Sequence, residues 1–285
     1  MILVADSGST KTEWKVLKDG IAEESVFSSG INPFFLTSED IFLLFKKELD
    51  NFSRYQFDII YFYGTGCNSE AKNNTVKNAL CRFFSCNKIL IGTDLLGAAR
   101  SLCQNSKGIA CIMGTGSNSC YYDGRVIVSN VAPLGYILGD EGGGAVIGRK
   151  LISAVLKKQV PQPVIDLFTD TYKISPAEIL ERVYMKPFPN RFLGQFAKFV
   201  SSNIQIPELQ EIVTTSFEEF IKRNVLQYPE SGILPIHFTG SIAIYFRGFL
   251  EELLRKYSLN PGIFTLSPME NLIKYHIQNL NPGLK

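Results

Sequence analysis

Histidine and tryptophan are scarce in this chain of 285 residues, which contains two histidines, His237 and His276, and one tryptophan. Two distant histidines cannot build a multi-histidine metal centre, because such centres draw three or four ligands from the protein. An excess of charge of one sign is also missing, since 29 Lys and Arg stand against 27 Asp and Glu. The formal net charge of +2 excludes the strongly basic surface typical of nucleic-acid-binding domains, so we expect no nucleic-acid partner.

Long apolar runs are missing as well, and nothing in the sequence approaches the roughly 18 apolar residues that a membrane span needs. The start, Met-Ile-Leu-Val-Ala-Asp, has no basic segment and only a short apolar run, unlike a secretory signal. We therefore expect a cytoplasmic protein that does not associate with membranes. Hydrophobic residues make up 45% and charged residues 20%, a globular composition that excludes a disordered or fibrous chain.

The six cysteines contain no Cys-x-x-Cys pair, and all lie between Cys67 and Cys120. This spacing is poor support for a zinc ribbon or a redox dithiol. Disulfides are rare in the cytoplasm, and a free cysteine usually behaves as a small buried hydrophobe. The sequence therefore predicts reduced and mostly buried thiols.

The pattern of secondary structure begins twice. The chain opens with a short apolar strand, a turn rich in Gly, Ser and Thr, and a returning strand. The turn Asp19-Gly20 and a third strand follow. The same succession recurs from residue 108, with Asp123-Gly124 as the second turn. An internal duplication is the simplest account, and a chance resemblance of two hairpins is the alternative.

The rest of the sequence predicts an α/β fold. Helices over 38–50, 69–84 and 94–102 alternate with strands over 59–63 and 89–91. After residue 142 the pattern becomes helical, and the length suggests about two domains with a tight hinge near 103–108. The later predicted helices are 142–158, 163–171, 176–184, 192–203, 207–227, 241–257 and 269–277, and the later strands are 236–239 and 263–266.

Two loops carry residues suited to phosphate binding. In Asp6-Ser-Gly-Ser-Thr-Lys-Thr12, the amides of Gly8, Ser9 and Thr10 can form an anion-binding nest, to which Lys11 adds a donor. Asp6 could hold magnesium through water. Gly114-Thr-Gly-Ser-Asn118 repeats the pattern, and two such loops could grip a triphosphate. Neither is a Walker loop, and either alone is equally well explained as an ordinary hairpin turn.

Three further features each allow a structural and a functional interpretation. Asp140, between glycines at a helix start, is either a helix cap or an acceptor for sugar hydroxyls. Asp94, after an apolar strand, is either an N-cap or a general base. Gly240-Ser-Ile-Ala243 is either a plain strand-to-helix turn or a bare backbone for adenosine. His237 is typical of a structural histidine, and the pairs Phe34-Phe35, Phe62-Tyr63 and Tyr121-Tyr122 are typical of core.

These motifs occur in the order seen in the actin-like sugar kinase superfamily. The chain resembles its N-acetylglucosamine kinase branch, which is grouped with the benzoyl-CoA reductase-activating ATPases, over nearly its whole length. The resemblance implies two duplicated ribonuclease-H-like (actin-like ATPase) domains around a nucleotide cleft. These would span residues 1–106 and 107–267, with a helical insertion over about 142–228 and the last helix, 268–285, packing on the first domain.

The resemblance also implies roles for individual residues. It implies ATP and magnesium as cofactors and phosphorylation of N-acetylglucosamine or a related amino sugar at the 6-hydroxyl, with Asp94 as catalytic base. The implied nucleotide-binding residues are Asp6, Gly8, Ser9, Thr10, Lys11, Thr12, Gly114, Thr115, Gly116, Ser117, Gly240, Ser241 and Ala243. The implied sugar contacts are Asn32, Asp94, Asn118, Gly135 and Asp140.

Two positions depart from the family pattern. Ser7 stands where the family often has glycine, so its φ must be negative, and Met113 replaces the small residue usual before Gly-Thr-Gly. Two other functions stay open. One is a reductase-activating ATPase, which would need cysteines at cluster spacing, and that spacing is missing. The other is a non-catalytic sensor of a sugar or nucleotide. Sugar-responsive repressors of related fold add a DNA-binding segment, which we do not expect before the hairpin at residue 6. The helices of 142–228 offer surface for a homodimer.

Overall fold

The structure is a computed structural model that describes residues 1–8 and 10–280. The chain divides into two compact units. The first unit comprises Met1–Ser106, Gly124–Val126 and the chain from Pro268 onward, and the second comprises Lys107–Asp123 and Ile127–Ser267. The predicted end of the last helix at 281–285 lies outside the described residues.

The first unit is built on a five-stranded sheet with the order β3-β2-β1-β5-β7. Its strands are β1 (Ile2–Ser7), β2 (Lys11–Lys18), β3 (Ile21–Ser29), β5 (Ile59–Gly64) and β7 (Ile89–Thr93), and β4 (Gln56–Phe57) pairs with β6 (Ser85–Cys86) beside it. Its helices are α1 (Ser38–Glu48), α2 (Glu70–Phe83), α3 (Asp94–Cys103) and the last helix of the chain, α13 (Met269–Leu280), with a 3-10 turn at Asp50–Arg54.

Local sequence explains the start of this unit. Asp19 and Gly20 both have positive φ, at 49° and 81°, which matches the turn that joins two strands most directly. Thr37 and Asp40 form a reciprocal capping box at the start of α1. The buried ring of Trp14 packs edge-on against Phe45, 5.6 Å between centroids, and anchors the aromatic core.

The second unit is built on another five-stranded sheet, with the order β10-β9-β8-β11-β12. Its strands are β8 (Gly108–Met113), β9 (Ser117–Tyr122), β10 (Ile127–Ser129), β11 (Pro235–Thr239) and β12 (Asn260–Thr265). Its helices are α4 (Gly135–Leu138), α5 (Gly144–Leu156), α6 (Gln162–Tyr172), α7 (Pro176–Tyr184), α8 (Pro189–Gly194), α9 (Ala197–Ser202), α10 (Pro207–Arg223), α11 (Ser241–Tyr245) and α12 (Arg247–Lys256), with 3-10 turns at Val225–Gln227 and Pro229–Gly232.

The two sheets repeat one topology. In each, three antiparallel strands (β1 to β3, and β8 to β10) come first. A fourth strand (β5 or β11) then pairs parallel to the first, and a fifth (β7 or β12) pairs parallel to the fourth. The same strand order in both units is that of two ribonuclease-H-like domains. The predicted α/β class and the duplication are therefore confirmed.

The structure divides two predicted helices. The helix expected over 192–203 is split between α8 and α9 around Gln195 and Phe196, and the helix expected after Gly240 breaks at Phe246. The helix expected from Gly142 begins at Gly144, because Gly142 has a φ of 72°, which a right-handed helix excludes. Proline and apolar periodicity alone do not reveal such breaks, since buried rings such as Phe196 continue the apolar stripe across them.

All six cysteines are free thiols, and Cys67, Cys103, Cys111 and Cys120 are buried. Among the helices of residues 1–8 and 10–280, none combines the length and the apolarity that crossing a membrane would require.

Replacing Gly148 with alanine is expected to lower the melting temperature by about 5 °C or more, because a Cβ there would overlap the carbonyl of Leu193 where α5 packs on α8. Thermal unfolding measures the effect. Gly248→Ala, on α12, is the matched control, since a Cβ at Gly248 meets no atom within 4 Å. Equal melting temperatures for the two variants would contradict the prediction.

Candidate active site

The turn between β1 and β2 is closed by its own backbone. The amide of Gly8, which the sequence predicts to bind phosphate, donates to the carbonyl of Lys11 at 3.0 Å and so closes the turn. Thr10 and Lys11 are exposed, and the ammonium of Lys11 lies 4.7 Å above the ring of Phe27. Ser9, the other predicted nest residue, lies outside the described residues.

Two buried hydroxyls hold this hairpin in place. Ser7 does not have a positive φ, as its place in the strand requires, and its Oγ accepts the amide of Ile31 at 3.0 Å. Thr12 is fully buried, and its Oγ1 lies 2.8 Å from Ser7 Oγ and donates to the carbonyl of Ser29. The prediction that Thr12 contacts the nucleotide therefore does not fit, because its hydroxyl is enclosed and already bonded.

Asp6 and Asp94 lie at the same edge of the first sheet, on either side of β5. Asp6 lies near the end of β1, opposite Tyr63 of β5, and Tyr63 lies opposite Gly92 of β7, two residues before Asp94. The carboxyl ends of parallel strands meet at one edge, where open α/β sheets bind their ligands.

Asp94 is the first residue of α3 and not its N-cap. Thr93 holds the cap position, and its Oγ1 accepts the amide of Leu96 at 3.0 Å, so the capping interpretation of Asp94 is wrong. The carboxylate of Asp94 accepts the amide of Leu95 at 2.8 Å on Oδ1 and the hydroxyl of Thr65 at 2.5 Å on Oδ2. Both oxygens are thereby oriented.

The two carboxyls are costly to ionise. Burial, together with the charges of Asp94 and Glu13, raises the pKa of Asp6 to about 7, while Lys11 opposes the rise. Burial also raises the pKa of Asp94, against the hydrogen bonds from Thr65 and Leu95. A divalent cation would relieve this repulsion, so the residues fit magnesium, which commonly takes one or two carboxylates together with substrate phosphates.

Asn32 lies against the same edge. Its Oδ1 accepts the amide of Phe34 at 2.9 Å, and a Cβ on Gly66 would lie 2.5 Å from that oxygen. Gly66 has a φ of 83°, so only glycine suits this close approach. Thr65 bonds Asp94 and Gly66 contacts Asn32, so the loop after β5 touches both residues.

Sequence reasoning misses Thr65 and misplaces Phe34 and Phe35. Thr65 lies in Gly64-Thr65-Gly66, which repeats the Gly-Thr-Gly pattern of 114–116 and could have signalled a site. Phe34 and Phe35 were expected in the core, but they are 55% and 70% exposed. For the other aromatic pairs the expectation holds at Phe62, Tyr63 and Tyr122, which are buried.

In the second unit, the turn between β8 and β9 is seated on the start of α5. The amides of Gly144 and Ala145 donate to the carbonyls of Gly114 and Thr115, each at 2.8 Å. A Cβ on Gly114 would meet no atom within 4 Å, so space for a ligand lies beside this backbone. Ser117 is different, because its buried hydroxyl donates to the carbonyl of Glu141 at 2.7 Å and is not available to a nucleotide.

Asp140 lies directly against this turn. A Cβ on Gly116 would be 2.6 Å from Asp140 Oδ2, and a backbone hydrogen bond from Ser117 also reaches its carboxyl. Burial, together with the charge of Glu141, raises the pKa of Asp140 to about 6, against the hydrogen bond from Ser117. The capping interpretation is wrong, because Gly143 is the N-cap of α5 and no side chain caps it.

The neighbours of Asp140 differ in role. Glu141 is buried and held by Arg223 at 2.7 Å and Asn224 at 3.2 Å, which fits a structural role. Asn118 Oδ1 accepts Asn130 Nδ2 at 2.9 Å. Gly135 is exposed, has a φ of 74°, and a Cβ there would meet no atom within 4 Å.

The turn after β11 fits against Met113. Gly240 has a φ of 117°, and a Cβ there would overlap the carbonyl of Met113, so glycine is required. The Cε of Met113 fills the space next to Gly142, which accounts for a large residue at this position. Ser241 is half-buried, but Ala243 is fully buried in the core, so its predicted nucleotide contact does not fit.

His237 is structural, as predicted. Its Nδ1 accepts the amide of Ile263 at 2.9 Å, and burial lowers its pKa to about 4, so the ring is neutral at physiological pH. Within the described part of the chain, no group of three or more His, Cys, Asp or Glu side chains is arranged to hold a metal ion.

Solved structures with the same architecture come from several bacteria. A candidate N-acetylglucosamine kinase from Porphyromonas gingivalis is 45% identical, with a TM-score of 0.94, over 98% of this chain and 100% of its own. The chain belongs to the N-acetylglucosamine kinase-like family of actin-like sugar kinases. No protein-family model matches the sequence, and no curated protein matches it.

More distant members of the family's superfamily share the fold alone. A candidate N-acetylglucosamine kinase from Chromobacterium violaceum is 15% identical, with a TM-score of 0.74, over 96% of this chain and 98% of its own. A ROK hexokinase from Thermus thermophilus is 12% identical, with a TM-score of 0.51, over 97% of each chain.

Replacing Asp6 with asparagine is expected to raise the free energy of unfolding at pH 8 by about 1–2 kcal/mol. The folded chain holds this proton with a pKa of about 7, against 3.8 ordinarily. Ionisation of Asp6 therefore opposes folding increasingly as the pH rises from about 4 to 7, and the gain from asparagine fades toward pH 4.

Urea unfolding without divalent cations, at pH 5 and pH 8, measures the difference. Asp19→Asn is the control, because Asp19 lies in an exposed turn whose positive φ suits asparagine. The prediction would be contradicted if the difference in unfolding free energy between Asp6→Asn and the unmodified protein were the same at pH 5 and pH 8.

Proposed function

We propose that this protein transfers the γ-phosphoryl group of ATP to a hydroxyl of an amino sugar, with N-acetylglucosamine or a close relative as acceptor. The observation that carries the proposal is the carboxylate of Asp94, fixed on both oxygens at the edge of the first sheet where its parallel strands end. The loop that bonds it through Thr65 also contacts Asn32 through Gly66. The 45% identity to a candidate N-acetylglucosamine kinase supports the acceptor class.

Asp94 is proposed as the general base. The Thr65 hydroxyl and the Leu95 amide hold its two oxygens and leave lone pairs for a substrate proton. Its raised pKa strengthens the base, since an aspartate with the ordinary pKa accepts a proton weakly at neutral pH. The sugar hydroxyl would give its proton to Asp94 as its oxygen attacks the γ-phosphorus, and ADP would leave.

Both Gly-rich turns are proposed to bind the phosphates. In the first, Asp6, Thr10 and Lys11 remain available after Gly8 and Thr12 are assigned to the turn itself. In the second, Gly114, Thr115 and Gly116 present backbone beside open space at Gly114. Magnesium, when bound at Asp6 and the phosphates, would neutralise charge that develops during transfer. Gly240 and Ser241 are proposed to contact adenosine.

The sugar is proposed to bind through amide and carboxyl groups. Asn32, Asn118 and Asp140 supply hydrogen-bonding groups, and the exposed backbone at Gly135 can approach a ring hydroxyl closely. Asp140 with its raised pKa can be ionised or protonated near neutral pH, so it can accept from or donate to a hydroxyl. The 6-hydroxyl is proposed as the phosphorylated position.

The test is release of ADP from Mg-ATP with and without N-acetylglucosamine, glucosamine, N-acetylmannosamine and N-acetylmuramic acid. We expect strong stimulation by one of these sugars. Sugar-independent release of ADP would favour a reductase-activating ATPase, and ATP binding without turnover on any sugar would favour a sensor. Either outcome would overturn the kinase proposal.

Asp94→Asn is expected to lower kcat by at least about 10²-fold, because the base is lost, while ATP affinity stays within a few-fold. Steady-state kinetics and calorimetric titration of ATP measure the two effects. Asp50→Asn, at an exposed position, is the matched control. Near-normal turnover of the Asp94 variant would remove Asp94 from the base role.

A further inference from the structure

Tyr63 is a large buried side chain of β5 that contacts both β7 and α3, the helix that begins with Asp94. It is 2% exposed and pairs in register with Gly92 of β7. A Cβ on Gly92 would lie 3.1 Å from the Tyr63 ring, and a Cβ on Gly97 of α3 would lie 2.9 Å from Tyr63 Cβ and Cγ. Glycines on both sides therefore let β7 and α3 rest directly on this ring.

The hydroxyl of Tyr63 is held from two directions. Arg100 of α3 donates to it at 2.6 Å, and Nε2 of His276 on α13 lies 3.1 Å away. Burial, with the charge of Arg100, lowers the pKa of His276 to about 3, so its ring is neutral. The Tyr63 hydroxyl therefore bridges Arg100 of α3 and His276 of α13.

Asp94, Gly97 and Arg100 follow one another at intervals of three residues, so they lie along one face of α3. That face rests on Tyr63. Farther along, α3 is tied to the start of α13, where Ser101 donates to the carbonyl of Pro268 at 2.8 Å and Gln104 donates to that of Asn271 at 3.0 Å.

We infer that Tyr63 is a positioning residue for Asp94, and that its ring and its hydroxyl bonds to Arg100 and His276 set the orientation of α3 on the sheet. The inference rests on the proposed function only in naming Asp94 as the base. Misplacement of a catalytic group by about 1 Å can cost about 10²-fold in rate, so partial loosening of α3 has a measurable effect.

The test compares Tyr63→Phe with Tyr61→Phe. Both remove a hydroxyl from a buried tyrosine of β5, and Tyr61 also contacts His276, with ring centroids 3.6 Å apart. Gly92 and Gly97, however, pack closely on Tyr63. We expect Tyr63→Phe to lower kcat about tenfold with both KM values within twofold, and Tyr61→Phe to change kcat less than twofold. Equal kcat values for the two variants would overturn the inference.

A double variant separates positioning from general stability. With Asp94 already changed to Asn, we expect Tyr63→Phe to lower the residual turnover by less than twofold, because the group that it positions is gone. A further tenfold loss in that background would overturn the inference. His276→Gln, which keeps an acceptor near the Tyr63 hydroxyl, is expected to retain at least half of kcat. His276→Leu is expected to lower kcat as Tyr63→Phe does. A lower kcat for His276→Gln than for His276→Leu would contradict the inference.

Amide hydrogen exchange gives a readout that needs no sugar. We expect peptides covering 93–99 to exchange faster in Tyr63→Phe than in Tyr61→Phe, with 38–48 unchanged as an internal control. If the unmodified protein phosphorylates no sugar, the proposed function fails while this measurement still decides the inference. Unchanged exchange at 93–99 would overturn it.

Discussion

The placing of Asp6 and Asp94 at one half-buried sheet edge is the constraint on which the first unit depends. Removing two carboxylates from water raises both pKa values and opposes folding above the ordinary aspartate pKa. The chain compensates elsewhere, with an aromatic core around Trp14 and Phe45. This is the usual balance at a functional site, where groups that are costly in the free protein are those that a charged ligand would stabilise.

The two units solve one structural problem with different chemistry. In the first, buried hydroxyls of Ser7 and Thr12 fasten the hairpin to the neighbouring chain. In the second, the amides at the start of α5 fasten the corresponding hairpin through its carbonyls. The topology is therefore repeated while the supporting bonds are not, which is why the sequence repeat is visible in turn residues and hardly anywhere else.

Much of the fold could be predicted because it follows from short-range chemistry. Asp19-Gly20 marks a hairpin by its positive φ values, and Thr37 marks the start of a helix by its capping box. The roles of Thr12, Ser117 and Ala243 could not be predicted in the same way. Each stands in a motif whose residue types suit a ligand, and only the packing shows that their side chains face the interior.

The last helix belongs to the unit that contains the first residue of the chain. Leu272 and Ile273 of α13 pack with Val4 and Tyr61, so this part of the core is incomplete until the end of the chain is available. At ribosomal rates of about 5–20 residues per second, the intervening second unit takes roughly ten to thirty seconds to synthesise. During that time the nascent first unit exposes the apolar surface that α13 will cover. Chaperones bind exposed apolar surface of this kind.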